Sequence, residues 1–60
     1  MLEVGKVYLF VGKMGGTALE AKLKHILKNG YVVTWQAVDG TWYDEKLTGD
    51  FWKVYQEVTP

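Results

Sequence analysis

The chain has no cysteine, no serine and no arginine, and His25 is its only histidine. The absence of cysteine excludes disulfides, zinc–thiolate sites and a thiol nucleophile. Nucleophilic catalysis needs a base and a second group that orients the base. His25 lies in a lysine-rich stretch, with no acidic residue near it in sequence to take that second role. The acidic residues Asp39, Asp44 and Glu45 lack the ligand spacing of a calcium loop. We therefore expect a non-enzymatic protein that binds neither a metal ion nor a cofactor.

Long apolar runs are missing as well. The run from Val7 to Val11 is only five residues long, which is too short for a signal peptide or a membrane span. A chain without cysteine fits a reducing compartment. We expect a cytoplasmic protein with no membrane contact. Because the chain starts with Met and shows no linker, we also expect one free-standing domain over residues 1–60.

The charges balance overall but not along the chain. The chain has seven lysines and seven acidic residues. Residues 1–30 hold five lysines and two glutamates, or +3, and residues 31–60 hold five acidic residues and two lysines, or −3. Such an asymmetry marks either interaction surfaces or two solvated faces that attract each other.

Aromatic residues are abundant: three Trp, four Tyr and two Phe. A chain of this length buries only roughly 60% of the surface that its unfolded form exposes. One aromatic side chain buries on the order of 150–250 Å², so aromatics are an economical way to build a small core. Nine of them exceed what such a core requires, and some are expected at the surface.

Turn signals divide the chain about every ten residues, which is typical of short strands joined by tight turns. They lie at 12–16, Asn29-Gly30, Asp39-Gly40 and 48–50. The predicted strands are 6–12, 31–38, 41–47 and 51–58. Alternation predicts that Tyr31, Val33 and Trp35 face inward. If Tyr43 and Leu47 also do, Trp42 faces outward.

The segment 17–29, "TALEAKLKHILKN", fits two structures. Leu19, Leu23 and Leu27 belong to an apolar stripe at helical spacing, and Thr17 with Glu20 resembles a capping box. The same segment also alternates between apolar and polar residues up to the Asn-Gly turn, as a hairpin strand does. The helix gives an α+β fold, βαβββ, with residues 17–29 packed on an antiparallel sheet. The strand gives an all-β barrel.

The whole pattern resembles the small SH3-like barrels of the Tudor and chromo-barrel type. It is also similar to short SH3-like proteins of phages and mobile elements. The resemblance rests on "GKVY" at 5–8, "LEAKL" at 19–23, the turns at 29–30 and 39–40, and "FW" at 51–52. It implies an all-β, five-stranded SH3-like barrel whose members bind peptides, nucleic acid or proteins. We therefore prefer the strand for 17–29.

Exposed aromatics lead us to predict a small protein-binding module. In phage-like proteins such a module would inhibit or modulate a host protein complex. Aromatic patches supply large, rigid contact areas, and acidic neighbours steer a basic partner. The predicted partner-binding residues are Tyr8, Trp42, Trp52, Tyr55, Asp39, Asp44, Glu45 and Asp50. Trp52 is expected outside because Phe51 and Val54 are expected inside.

Three further interpretations remain open at this point. The first is weak nucleic-acid binding by the lysines of the first half, namely Lys13, Lys22, Lys24 and Lys28. The second is a homodimer that pairs exposed strand edges. The third is an aromatic cage for a methylated lysine, built from Trp42, Tyr43 and Asp44.

Overall fold

The computed structural model describes residues 1–58. They form five strands: β1 (Val7–Gly12), β2 (Ala18–Leu27), β3 (Gly30–Gln36), β4 (Trp42–Thr48) and β5 (Trp52–Glu57). All neighbouring strands are antiparallel, and their order in the sheet is β4-β3-β2-β1-β5. Thr59 and Pro60, the last two residues of the expected domain, lie outside the described residues.

The segment that the sequence left ambiguous is a strand, so the helix over 17–29 is wrong. Along β2, Ala21 and Leu23 are buried, whereas Glu20 and Lys22 are exposed. This is the two-residue period of a strand with one face on the core. The helix-forming residues here are overruled by pairing with strands on both sides.

Strand β2 connects the two halves of the sheet, one containing β1 and β5 and the other containing β3 and β4. Its first half pairs with β1, from Ala18 to Lys22, and its second half pairs with β3, from Lys22 to Leu27. The register shifts between Leu23 and His25, and such a bulge bends a strand and increases its twist. The bend folds the half that contains β1 and β5 over the half that contains β3 and β4.

The core lies between these two halves. Its buried residues are Tyr8, Phe10, Ala21, Leu23, Val33 and Leu47. The partly buried residues packed against it are Leu2, Leu19, Tyr31, Trp35, Trp52 and Val54. Both end strands of the sheet contribute to this one core, so the sheet is strongly curved. Within residues 1–58, however, no ladder joins β4 to β5.

The predicted all-β, five-stranded class is therefore confirmed, and the topology is compatible with an SH3-like fold. The inward orientation predicted for β3 also agrees with the structure, because Val33 is buried and Tyr31 and Trp35 pack against the core. The charged halves meet as well. Lys24 of the first half pairs with Asp44 of the second at 3.0 Å, and Lys6 pairs with Glu57 at 3.6 Å.

Candidate functional site

Tyr8 does not belong to an exposed patch, contrary to the sequence prediction. It is only 3% exposed, and its ring packs edge-on against Phe10 with 6.3 Å between the ring centroids. Its hydroxyl oxygen accepts a hydrogen bond from the backbone N–H of Glu3 at 2.8 Å. On β1 the inner face carries Tyr8 and Phe10, whereas Val7 and Leu9 lie on the outer face, away from the core.

Trp52 also differs from the prediction, because it is half-buried against the core. Strand β5 begins at Trp52, so Trp52 and Val54 are two residues apart and share the inner face. Phe51 lies in the turn before the strand, and its ring meets that of Trp52 edge-on, with centroids 5.3 Å apart. Removal of Trp52 would thus damage the core and would not test a binding surface.

Trp42 and Tyr55 are exposed as expected, at 57% and 65%, but they do not form one patch. Trp42 borders a depression of about 250 Å³ on the outer face of β2 and β3. Tyr55 borders another of about 530 Å³, together with Val11, Lys53 and the glycine-rich β1–β2 loop. The two depressions have no lining residue in common.

A second exposed aromatic, Tyr43, follows Trp42 directly. Tyr43 was expected inside with Leu47; it shares the inner face with Leu47 but lies beyond the core and is 46% exposed. Its ring lies 5.1 Å from that of Trp35 at an interplanar angle of 31°. The indole N–H of Trp35 in turn donates to Oε1 of Glu45 at 3.0 Å. We call Trp35, Trp42 and Tyr43 the hairpin aromatic cluster.

The acidic residues expected around the binding surface are spread over two turns and one strand. Asp44 and Glu45 lie on β4, between Trp42 and the core residue Leu47. Asp39 lies in the β3–β4 turn, and Asp50 lies in the β4–β5 turn, where it borders a separate depression with Lys28. Only the first three acids are thus close in sequence to the hairpin aromatic cluster.

Besides Glu45, which accepts from Trp35, two of these carboxylates have local partners. The backbone N–H of Thr41 donates to Oδ1 of Asp39 at 2.9 Å, and this bond lowers the pKa of Asp39 below its usual value. The ammonium of Lys24 donates to Oδ2 of Asp44 at 3.0 Å, and it lowers the pKa of Asp44, with a smaller contribution from Thr34. Both acids are therefore ionised at neutral pH; Asp39 binds within the β3–β4 turn, and Asp44 links β4 to Lys24 of β2.

Strand β4 is an edge strand, and hydrogen bonds at both ends of the β3–β4 ladder show how its peptide groups point. The N–H of Gly49 donates to Asn29 at 2.7 Å, and that of Ala37 donates to Thr41 at 2.8 Å. Both pairs fit the β3–β4 register, in which bonded and non-bonded pairs alternate. The odd-numbered residues from 43 to 47 therefore direct their peptide groups at β3. The even-numbered residues Trp42, Asp44 and Lys46 direct their N–H and C=O groups away from β3, toward the open edge of the sheet.

The four lysines proposed for nucleic-acid binding do not gather on one surface. Lys24 is paired with Asp44, and Lys13 donates to a backbone carbonyl of the β4–β5 turn. Lys22 and Lys28 border different depressions.

The cage interpretation fails on geometry. Trp42 and Tyr43 are consecutive residues of one strand, so their side chains point to opposite faces and do not converge on one cation. In the described residues there is also no group of three or more potential metal-ligating side chains. No helix long and apolar enough to cross a membrane occurs over residues 1–58.

Comparison of the chain with family models, with curated proteins and with solved structures gives no match.

Proposed function

We propose that this protein is a small, non-enzymatic protein-binding module that docks through its hairpin aromatic cluster. The observation that carries the proposal is the exposure of Trp42 and Tyr43, two adjacent aromatic residues on an edge strand. Large aromatic side chains dominate the energetics of protein interfaces because they supply extensive contact area. Only six hydrophobic residues are buried among those described, and neither Trp42 nor Tyr43 is one of them. We therefore assign these two exposed rings to binding and not to folding.

Two members of the cluster, Trp35 and Tyr43, are held in position before any partner arrives. Trp35 packs against the core and stacks on Tyr43, and its N–H binds Glu45. Side chains that are already ordered lose less conformational entropy on association. The geometry therefore favours Tyr43 as a preformed contact, with Trp42 presented on the opposite face of the same strand.

The finer parts of the proposal come from the sequence. Asp39, Asp44 and Glu45 favour a partner with a basic surface, because complementary charge steers encounter. The resemblance to short phage proteins suggests that the partner is a host protein complex that the module inhibits or modulates. The absence of cysteine favours action in the cytoplasm.

The test is a capture experiment from a lysate of the native host, with and without nuclease. The tagged native protein is compared with Trp42→Ala/Tyr43→Ala. A matched control, Met14→Ala/Tyr55→Ala, removes two side chains that are more exposed than Trp42 and Tyr43 and lie elsewhere on the molecule. Thermal melting followed by circular dichroism establishes that all three proteins fold.

We expect one protein to be captured stoichiometrically, resistant to nuclease, by the native and control proteins but not by the hairpin variant. Equal capture by the hairpin variant would refute the aromatic surface. Capture that disappears with nuclease would instead support nucleic-acid binding.

A further inference from the structure

The open edge of β4 offers a second kind of contact beside its aromatic side chains. Seven residues form this strand, and five of them in succession, Trp42 to Lys46, are exposed. The peptide groups of Trp42, Asp44 and Lys46 point away from β3, as the ladder ends show. A row of outward N–H and C=O groups is a template on which another extended chain can pair.

We propose that the partner adds an extended segment to β4 as a sixth strand. This inference rests on the proposed function, since it specifies how the protein partner binds. Main-chain hydrogen bonds to Trp42, Asp44 and Lys46 would supply register, and side chains on the two faces of β4 would supply specificity.

A second copy of this chain is a poor occupant, because the edge charges repel their own copies. Two-fold antiparallel pairing requires outward-facing residues to meet outward-facing residues. Every such register that overlaps at least five residues of β4 is centred on Asp44, Glu45 or Lys46. Each therefore places one charged residue directly opposite its own copy, which is destabilising. The register centred on Glu45 also places Asp44 opposite Lys46 twice, but Asp44 is already paired with Lys24. Charged edge residues protect natural sheets from self-association in this way.

The charges on the two faces of β4 also describe the segment that fits. The inner face presents Tyr43 and Glu45, with one negative charge and an aromatic ring that can accept a cation. On the outer face Asp44 is already paired with Lys24. Lys46 adds a positive charge there that disfavours further basic side chains, and Trp42 offers apolar area. The fitting segment is thus extended and alternating, with basic side chains along the inner face and apolar side chains along the outer face.

A defined probe tests this without knowledge of the natural partner. The probe is a terminally blocked nine-residue peptide of alternating valine and lysine, titrated into the isotope-labelled full chain and followed by NMR. The control peptide has the same side chains and charge, but alternate peptide nitrogens are methylated so that they cannot donate. We expect the amide protons of Trp42, Asp44 and Lys46 to shift and to exchange more slowly with solvent. The methylated peptide should bind at least tenfold more weakly.

A pair of variants separates the main chain from the side chains. Lys46→Pro removes an outward N–H and no ladder bond to β3, which an edge strand tolerates. Lys46→Ala removes the same side chain but keeps the N–H. We expect at least tenfold weaker peptide binding by Lys46→Pro than by Lys46→Ala. If Lys46→Pro does not fold, the methylated peptide makes the same comparison with an unchanged protein.

The outcomes distinguish this inference from the proposed function. If both peptides bind equally, or if the shifts lie away from β4, strand addition is wrong. If Trp42→Ala/Tyr43→Ala loses the captured protein while Lys46→Pro keeps it, the aromatic surface stands and strand addition is again wrong. If Lys46→Pro loses the captured protein and the aromatic variant keeps it, the strand edge is the binding element and the aromatic cluster is not.

Discussion

The two end strands of the sheet, β4 and β5, use the same residue types for different purposes. Strand β5 turns Trp52 and Val54 toward the core, whereas β4 contributes only Leu47 to it and leaves Trp42 and Tyr43 in solvent. Both strands have a tryptophan at their first position. The difference shows that tryptophan content alone does not identify a binding surface; the face on which each ring lies, and whether the ring reaches the core, decide between core and surface.

The largest effect expected from this comparison concerns the two tryptophans. Trp52→Ala should lower the free energy of unfolding by about 3 kcal/mol, because truncation of a core aromatic leaves a cavity. Trp42→Ala should change it by less than about 0.5 kcal/mol, as surface substitutions usually do. Urea unfolding of both variants measures the difference. Equal losses of stability would show that Trp42 is also a core residue.

The next largest effect concerns two glycines that lie close to the end strands, Gly30 beside β4 and Gly12 beside the start of β5. A Cβ on Gly30 would collide with the backbone carbonyl oxygen of Leu47 on β4, which cannot move away. A Cβ on Gly12 would lie 2.9 Å from the ring of Phe51, just before β5, and a side chain can shift. We expect Gly30→Ala to cost about 2 kcal/mol and Gly12→Ala about 1 kcal/mol, within the usual range for strained substitutions. A larger loss at Gly12 in thermal melts would reverse this ranking.

The stack between Trp35 and Tyr43 should contribute a smaller but measurable coupling. A double-mutant cycle with Trp35→Leu and Tyr43→Ala is expected to give about 0.5–1.5 kcal/mol, the range for aromatic pairs. The matched cycle pairs Trp35→Leu with Tyr55→Ala, whose side chain borders a separate depression, and its coupling should be close to zero. A coupling near zero in both cycles would mean that Tyr43 is not held by Trp35.

The smallest effect is the pH dependence that Asp39 and Asp44 confer on the hairpin. Their pKa values are lowered in the folded protein, so their contribution is complete above the unfolded value of about 3.9. It is lost as the pH falls through the lower folded pKa values. The urea concentration at the midpoint of unfolding, measured at pH 5, 3 and 2, should therefore decrease less with falling pH for Asp39→Ala/Asp44→Ala than for the native protein. An identical acid dependence would show that these bonds do not form in solution.

Much of the fold follows from the sequence because turns and alternation are local signals. Turn signals separate β2 from β3 and β3 from β4 as expected, but Gly30 already belongs to β3, and β3 ends at Gln36, two residues before the predicted end. The segment 17–29 is different, since its residues favour a helix and only pairing with β1 and β3 makes it a strand. The bulge between Leu23 and His25, which bends β2 between the two halves of the sheet, has no marker in the sequence.

The candidate site was less predictable than the fold. Residues 7–11 are apolar at every position, so alternation gives no sign that Tyr8 faces inward. For Trp52, the prediction grouped Phe51 with Val54, but residues three apart lie on opposite faces of a strand. The stack of Tyr43 on Trp35 did not follow from the Asp39-Gly40 signal, because a two-residue turn there would place Trp35 opposite Asp44. The loop has three residues between the paired Ala37 and Thr41, and this places Trp35 opposite Tyr43.

The central claim is that β4 keeps an open edge beside exposed aromatic rings, and amide hydrogen exchange of the free protein tests it most directly. We predict an alternation along the strand, with slow exchange at Tyr43, Glu45 and Leu47 and fast exchange at Trp42, Asp44 and Lys46. Uniformly slow exchange from Trp42 to Leu47 would contradict the account, because it would mean that the edge is already covered in the free protein.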